Sequence, residues 1–222
     1  MDAGEYALMD RAEGALWWYR ALHARLADAL AGVAGPVLDA GCGTGGLLAS
    51  LGRPDSFGLE YDSAAVARAA AKSGVPVASG SINALPFADA SFAAVVSADV
   101  LCHAAVDPGL ALGELRRVLR PGGRLVLNMP AYQWLLSTHD RRVHNARRAT
   151  AGQLGGWLAA AGFVRIRLRY WNSLLLPLMV VQRKLLARGA AAASDVAALP
   201  PWMDTMFAAT VGLERALHLR LP

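Results

Sequence analysis

Val37-Leu38-Asp39-Ala40-Gly41-Cys42-Gly43-Thr44-Gly45 decides the fold. A short apolar run leads straight into three glycines spaced two apart, the pattern of a buried strand ending in a tight turn. Glycine has no Cβ, so the chain can reverse there and bring its amides close to a ligand. A helix is expected from Gly45 to Leu51, its first N–H groups aimed at the same place. Working outward, Ser56 to Glu60 reads as a second strand, Ser63 to Lys72 as a second helix, and Val75 to Ala78 as a third strand. Phe92 to Ser97 is continuously apolar, as a strand covered on both faces must be. Asp107-Pro108 opens a helix to Leu119, with proline in its first turn. Pro121-Gly122-Gly123 stops it, and Arg124 to Met129 is a fifth strand. Strands and helices alternating at this spacing imply an α/β fold, a Rossmann-like, doubly wound, mainly parallel sheet with flanking helices.

Glu60 closes the second strand about twenty residues after the first glycine, where a carboxylate can accept both hydrogen bonds of a ribose diol. Gly41, Gly43 and Gly46 also satisfy the dinucleotide pattern GxGxxG, so these residues alone leave an NAD(P)- or flavin-dependent oxidoreductase open. Asp39 separates the two. A carboxylate facing the turn repels a pyrophosphate, whereas S-adenosylmethionine (SAM) carries no phosphate and brings an ammonium and a sulfonium.

Four segments together resemble the class I SAM-dependent methyltransferase family. They are the glycine turn, Gly58-Leu59-Glu60-Tyr61-Asp62, Leu85-Pro86-Phe87 with Asp89, Ser91 and Phe92, and Arg117-Val118-Leu119-Arg120-Pro121-Gly122-Gly123. They span roughly residues 36–130 in the family's order. The resemblance implies that Asp39, Gly41, Gly43 and Gly45 line the methionine and ribose part of the cofactor. It places Glu60 on the ribose hydroxyls, Tyr61 over the adenine, Ser81 and Ile82 at the adenine amino group, and the Ala98 carbonyl on the cofactor ammonium. Serine at 81 departs from the acidic residue usual there. The chain is also similar to a bacterial subgroup of the methyltransferase-11 type through Trp17-Trp18-Tyr19-Arg20 and through His139-Asp140, His144 and Arg147-Arg148. That similarity implies an N-terminal helix over the cofactor mouth, with Arg20 or Tyr19 near the cofactor carboxylate, and a substrate lid between residues 130 and 149.

The flanks are read as follows. Glu5 to Leu30 has apolar residues at threes and fours and is expected to be one helix. Pro130 to Ala149 is a long loop leaving the carboxyl end of the fifth strand, where ligands of such sheets sit. Trp17, Tyr132, Trp134 and Arg147 are the candidate substrate-binding residues. His103, His139 and His144 are the candidate bases, needed only if the methyl acceptor holds a proton at working pH. His139, Asp140 and His144 lack a supporting cysteine pair or third histidine, so no metal is expected. Thr150 caps a helix to Ala161, and Phe163 to Tyr170 alternates cleanly as a sixth strand. Two helices follow, Leu174–Arg188 and Pro201–Leu219, joined by Gly189–Ser194. No chain remains after them for the seventh, antiparallel strand usual in the family, and an exposed edge beside the fifth strand would invite a homodimer or a covering helix.

The 222 residues suit a single domain: an N-terminal helical cap (1–35), a SAM-binding core (36–130), and a substrate loop, sixth strand and C-terminal helices (131–222). Hydrophobic residues are 55% of the chain and charged residues 18%, which argues for a folded globule over disorder. No apolar run is long enough to span a bilayer, although Leu174 to Leu186 could contact a membrane peripherally. The start is acidic, without a signal-like apolar stretch, and Cys42 and Cys102 form no disulfide framework; both point to the cytoplasm. A net charge of +5, carried almost wholly by arginine, fits an anionic partner but selects none. Nucleic acid is not expected, because no basic stripe with stacking aromatics is present. The expected activity is methyl transfer from SAM, leaving S-adenosylhomocysteine (SAH), to a small hydrophobic or anionic acceptor, at oxygen before nitrogen or carbon. The rivals are the NAD(P)-dependent oxidoreductase and a non-catalytic SAM-binding partner protein.

Overall fold

The structure, a computed structural model, describes residues 3–182 and 200–217. The expected parallel core is present. Strands β1 (Val37–Ala40), β2 (Ser56–Glu60), β3 (Val77–Ser79), β4 (Phe92–Ala98) and β5 (Leu119–Asn128) form a five-stranded sheet in the order β3-β2-β1-β4-β5. Every pairing is parallel. The chain winds outward from β1 to β3, then returns to β4 on the other side of β1. The carboxyl ends of β1 and β4 therefore frame the switch point where such sheets bind ligands.

The connecting helices begin and end where their terminal residues dictate. Helix α3 (Gly46–Leu51) follows Gly45, whose φ of +87° is readily available only to glycine, and whose Cβ would stand 2.8 Å from the Ala69 backbone. Asp62 caps α4 (Ser63–Ser73) through the Ala64 and Ala65 amides, and Asp107 caps α5 (Pro108–Val118) through Leu110. The Pro121-Gly122-Gly123 turn lies inside β5 instead of before it, and the ladder shifts register between Phe92 and Ala94. That shift lets Phe92 and Val95, three apart, both face the cluster formed with α5 and α7 (Ala151–Ala160). On the opposite face Val37, Ala94 and Val96 pack with Leu22, Leu26 and Leu30 of α2 (Trp17–Leu30).

Three expectations fail. The N-terminal helix is two helices, α1 (Ala3–Ala12) and α2, separated by a turn at 13–16. The periodicity of residues 5–30 is shared by both pieces, so it could not reveal the break. Residues 163–170 are not a strand. Arg165 takes a φ of +55°, which ends the two-residue alternation, and no described strand lies on the outer side of β5 to pair with. Residues 130–149 are not structureless: a 3-10 turn (Gln133–Leu135) and α6 (Thr138–Arg142) lie within them. Of the two C-terminal helices, α8 (Leu176–Val181) and α9 (Pro201–Ala216) are seen. Residues 183–188 of the first, the Gly189–Ser194 joint and residues 218–219 of the second lie outside the described residues.

Helix α9 lies on α2, with Phe207 and Val211 packed against Trp17, Ala21 and Trp171. Its Glu214, 2% exposed, accepts the amides of Asn172 (2.8 Å) and Ser173 (2.9 Å) and lies 3.6 Å from the Arg25 guanidinium. Among the described residues, no helix is long and apolar enough to cross a membrane.

Candidate active site at the switch point

The glycine turn hangs from β2. Gly41 and Cys42 N–H both donate to the Leu59 carbonyl, at 2.8 and 2.9 Å. Gly41 has a φ of +92°, and a Cβ on it would collide with the Val100 side chain. Glu60 then ties the far end of β2 back to the turn. Its Oε2 accepts Gly43 N–H (2.9 Å), and its Oε1 accepts Tyr61 and Asp62 N–H (2.9 and 3.1 Å). The carboxylate expected at the ribose diol is thus held rigidly beside the turn.

Three carboxylates surround this turn: Asp39, Glu60 and Glu13. Glu13 follows α1, accepts Thr44 Oγ1 (2.7 Å) and pairs with Lys72 (2.8 Å). Asp39 is 3% exposed. Burial first, then the fields of Glu13 and Glu60, push its carboxyl up to about 7. The site is built to repel an anion and to receive a cation.

The other residues expected around the cofactor fall into two groups. Tyr61 is 79% exposed, so its ring stands clear at the end of β2. Half-exposed Ser81 accepts the Asn83 amide through its Oγ (3.2 Å) within its own turn, and Ile82 is buried in the main core. Ala98 ends β4 opposite Asn128. Arg20 goes elsewhere: it pairs with Asp204 of α9 (2.6 Å), whose other oxygen accepts Trp17 N–H (2.7 Å). Trp17 packs its ring on Phe207, with centroids 5.5 Å apart. Trp17 and Arg20 therefore dock α9 onto α2, Trp18 packs with the α2 face of the sheet, and the helix over the glycine turn is α1. Four bulky residues in succession cannot face one side of a helix, and the faces that α9 covers were invisible in the local pattern.

The loop after β5 is similarly rearranged. Arg147, a candidate for the substrate, donates Nη1 to the carbonyls of Leu101 (2.9 Å), His103 (2.6 Å) and Val106 (2.8 Å), pinning the turn after β4. Arg148 Nη2 donates to both Asp140 carboxylate oxygens, at 2.8 and 3.0 Å, in an ion pair whose side chains are 7% and 1% exposed. Ser137 caps α6 with the same aspartate. Tyr132, at a φ of +61°, stacks on Tyr170 at 5.3 Å and meets Trp134, which is 53% exposed. These aromatics form a platform just beyond the carboxyl end of β5. The three histidines differ. His103 is half-buried, and burial holds its imidazole below the ordinary value. His144 is exposed at a φ of +60°, its carbonyl bonded to Ala104 N–H (2.9 Å), and His139 has a buried Nδ1 with no hydrogen-bond partner among the described residues. Among the described residues no group of three His, Cys, Asp or Glu is placed to hold a metal.

One residue was missed. Asp99 follows β4 directly, at the switch point, with a φ of +55° that a non-glycine residue adopts at a cost of order 1 kcal/mol. Asn128 Nδ2 donates to Asp99 Oδ1 (2.8 Å), and Trp171 Nε1 donates to Asn128 Oδ1 (2.8 Å). An indole N–H can only donate, so it fixes the amide with its NH2 toward Asp99. No other hydrogen bond to the carboxyl is made by the described residues, and desolvation raises it to about 6. The available signal was a carboxylate immediately after the fourth strand, which the nearby histidines overshadowed.

Residues 38–127 match the sequence model of a family described as a methyltransferase domain. The match spans less than half of the chain, and the five-stranded parallel core has the fold of class I SAM-dependent methyltransferases. Malonyl-[acyl-carrier protein] O-methyltransferase of Herminiimonas arsenicoxydans is 38% identical over 154 residues, covering 65% of this chain and 58% of that protein. The curated relatives are matched over 31–61% of their own length. A SAM-dependent methyltransferase from Thermotoga maritima superposes with a TM-score of 0.56 at 24% identity, covering 72% of this chain and 77% of that one. The [4+2]-cyclase SpnF superposes at 0.53 with 30% identity, covering 65% and 59%.

Proposed function

We propose that the protein binds SAM at the β1–β4 switch point and transfers its methyl group to a small acceptor held between the turn after β4 and the loop after β5. The carboxylate ring of Glu13, Asp39 and Glu60 carries this reading. A pyrophosphate placed on the same glycine turn would meet Glu60 and oppose the ionisation of Asp39, with Glu13 already paired to Lys72. An ammonium and a sulfonium would instead be drawn in and would favour the ionised Asp39. When bound, the cofactor supplies an electrophilic methyl group on a positively charged sulfur.

The chain's own residues do the rest. Glu60 accepts the ribose hydroxyls, Asp39 faces the cationic end, and Tyr61 covers the adenine. In-line transfer depends chiefly on holding nucleophile and methyl about 3 Å apart. The turn pinned by Arg147 and the Tyr132–Trp134–Tyr170 platform form the acceptor's walls. Asp99 takes the acceptor's proton through the oxygen that Asn128 leaves open, a role for which a value near 6 suits a base at neutral pH. Among the histidines, His103 lies on the pinned turn as a second proton acceptor. An aromatic platform favours a flat or apolar acceptor, with oxygen as the nucleophile and nitrogen or carbon as alternatives.

Calorimetric titration with SAH tests the cofactor. Micromolar-range binding that Glu60→Ala weakens severalfold or more is expected, because the substitution leaves ribose hydroxyls unpaired. Tight NAD(P) binding without a response to SAH would refute the reading. SpnF, named for a cyclisation, shares the fold, so radiolabelled methyl transfer to a panel of phenols, carboxylic acids and amines separates methyl transfer from cofactor binding without turnover.

A further inference from the structure

Helix α1 covers the cofactor residues themselves. Tyr6 Oη donates to Glu60 Oε1 (2.9 Å), and the terminal methyl of Met9 lies over Gly43, 2.6 Å from where a Cβ would stand. At the end of the helix, Lys72 of α4 clamps Asp10 (2.5 Å) and Glu13 (2.8 Å). Beneath this cover Glu60 is only 7% exposed.

The hydrogen-bond capacity of Glu60 makes the cover consequential. A carboxylate offers about four lone-pair sites. Glu60 Oε1 already accepts Tyr6 O–H and the amides of Tyr61 and Asp62, more than its two lone pairs serve well. Oε2 accepts Gly43 N–H and keeps one site for a ribose hydroxyl, so it is at Oε1 that the second hydroxyl meets Tyr6. The three amides are fixed by the glycine turn and by the exit from β2. Tyr6 is the one donor that can leave without moving the sheet. Burial and the adjacent carboxylate raise the phenol's pKa and keep it protonated, so it remains a donor across the working pH range.

We propose that Tyr6 competes with the cofactor ribose for Glu60, making α1 a latch that must open for SAM to enter and SAH to leave. The proposal rests on the assignment of Glu60 to the ribose. With the latch closed most of the time, apparent affinity is reduced by the fraction of molecules that are open. Tyr6 and the Lys72 clamp thus set the affinity and exchange rate of the cofactor without touching the methyl acceptor.

Calorimetry with SAH on the full chain tests this, using Tyr6→Phe and Lys72→Met. Each variant should bind SAH roughly three- to tenfold more tightly, since one charge-assisted contact no longer has to be broken. Hydrogen exchange should show residues 3–12 exchanging faster when SAH is added, while residues 41–60 become protected. Unchanged or weaker SAH binding by Tyr6→Phe, or α1 becoming more protected with SAH, would overturn the latch. The Glu60→Ala titration keeps the two failures apart. If that variant binds SAH as the wild type does, the ribose assignment is wrong; if it binds poorly and Tyr6→Phe gains nothing, only the latch is.

Discussion

Asp39 should be a stability defect retained for binding, and Asp39→Asn exposes it. The carboxyl is buried beside two other carboxylates, accepts no hydrogen bond from the described residues, and titrates near 7 in the fold. In the unfolded chain it titrates near 3.9. The folded form therefore holds its proton more tightly than the unfolded form. Asp39 costs nothing below about pH 4, and stability is lost progressively as pH rises from 4 to 7. About three pH units at roughly 1.4 kcal/mol each give an upper figure of about 4 kcal/mol at pH 8, against about 1.5 kcal/mol at pH 5.

Asparagine keeps the shape and removes the charge. Allowing half of the upper figure for relaxation around the site, Asp39→Asn should be about 2 kcal/mol more stable than the wild type at pH 8 and less than about 1 kcal/mol more stable at pH 5. Urea unfolding at the two pH values measures both differences with a common slope. The same variant should lose SAH affinity, because the group facing the ammonium is no longer negative. A variant no more stable than the wild type at pH 8, or a gain that does not change with pH, would refute the argument. Either result would mean that water or a cation already offsets the charge.

Other consequences follow from single contacts. The carboxyl carbon of Asp99, followed by NMR, should titrate near pH 6, and Asn128→Ala should raise that midpoint because the amide stabilises the charged form. A midpoint that stays or falls would remove Asn128 from the pair. Arg148→Met removes the cation beside the buried Asp140 carboxylate, which keeps its Ser137 bonds, a defect of about 3 kcal/mol, so limited proteolysis should cut residues 130–149 much faster than in the wild type. Resistance equal to the wild type's would show that the ion pair is not what orders the loop. Glu214→Ala leaves the amides of Asn172 and Ser173 without their acceptor and the Arg25 guanidinium without its counter-ion. A loss of about 2–4 kcal/mol and a melting temperature lower by roughly 5–10 °C should result, read by differential scanning calorimetry.

What the sequence revealed and what it hid divide along sequence separation. The glycine turn, the Asp62 and Asp107 caps and the apolar β4 are written within a few residues of one another, so local pattern sufficed. Glu60 was legible because the crossover between β1 and β2 has a nearly fixed length. The partners that define the site are remote. Tyr6 and Glu60 are 54 residues apart, Trp171 and Asn128 are 43 apart, and Glu214 reaches back 42 to Asn172. No spacing rule links such pairs, because packing alone brings them together. The arginines at 147 and 148 illustrate the cost. Arg147 was a candidate for the substrate and both arginines belonged to the expected lid, yet one donates to three backbone carbonyls and the other pairs with a buried aspartate.

The same division explains why the donor side of the site was legible and the acceptor side was not. The donor side must present amides and a ribose carboxylate at fixed positions relative to one turn, which constrains neighbouring residues in the chain. The proposed acceptor side would be assembled from the turn after β4, the loop after β5 and Tyr170, three segments whose contacts are long-range. Asp99 joins the two sides. Its backbone is held at a positive φ by the end of β4, and its amide donates to the Asn128 carbonyl (2.9 Å). Its carboxyl is oriented by Asn128, which is itself fixed by Trp171. Trp171 in turn lies 6.0 Å from Trp18 and beneath Arg25, the partner of Glu214 on α9. Trp17 and Arg20 therefore bear on the proposed reaction indirectly: they seat α9, α9 helps seat Trp171, and Trp171 orients Asn128 toward the proposed base, Asp99.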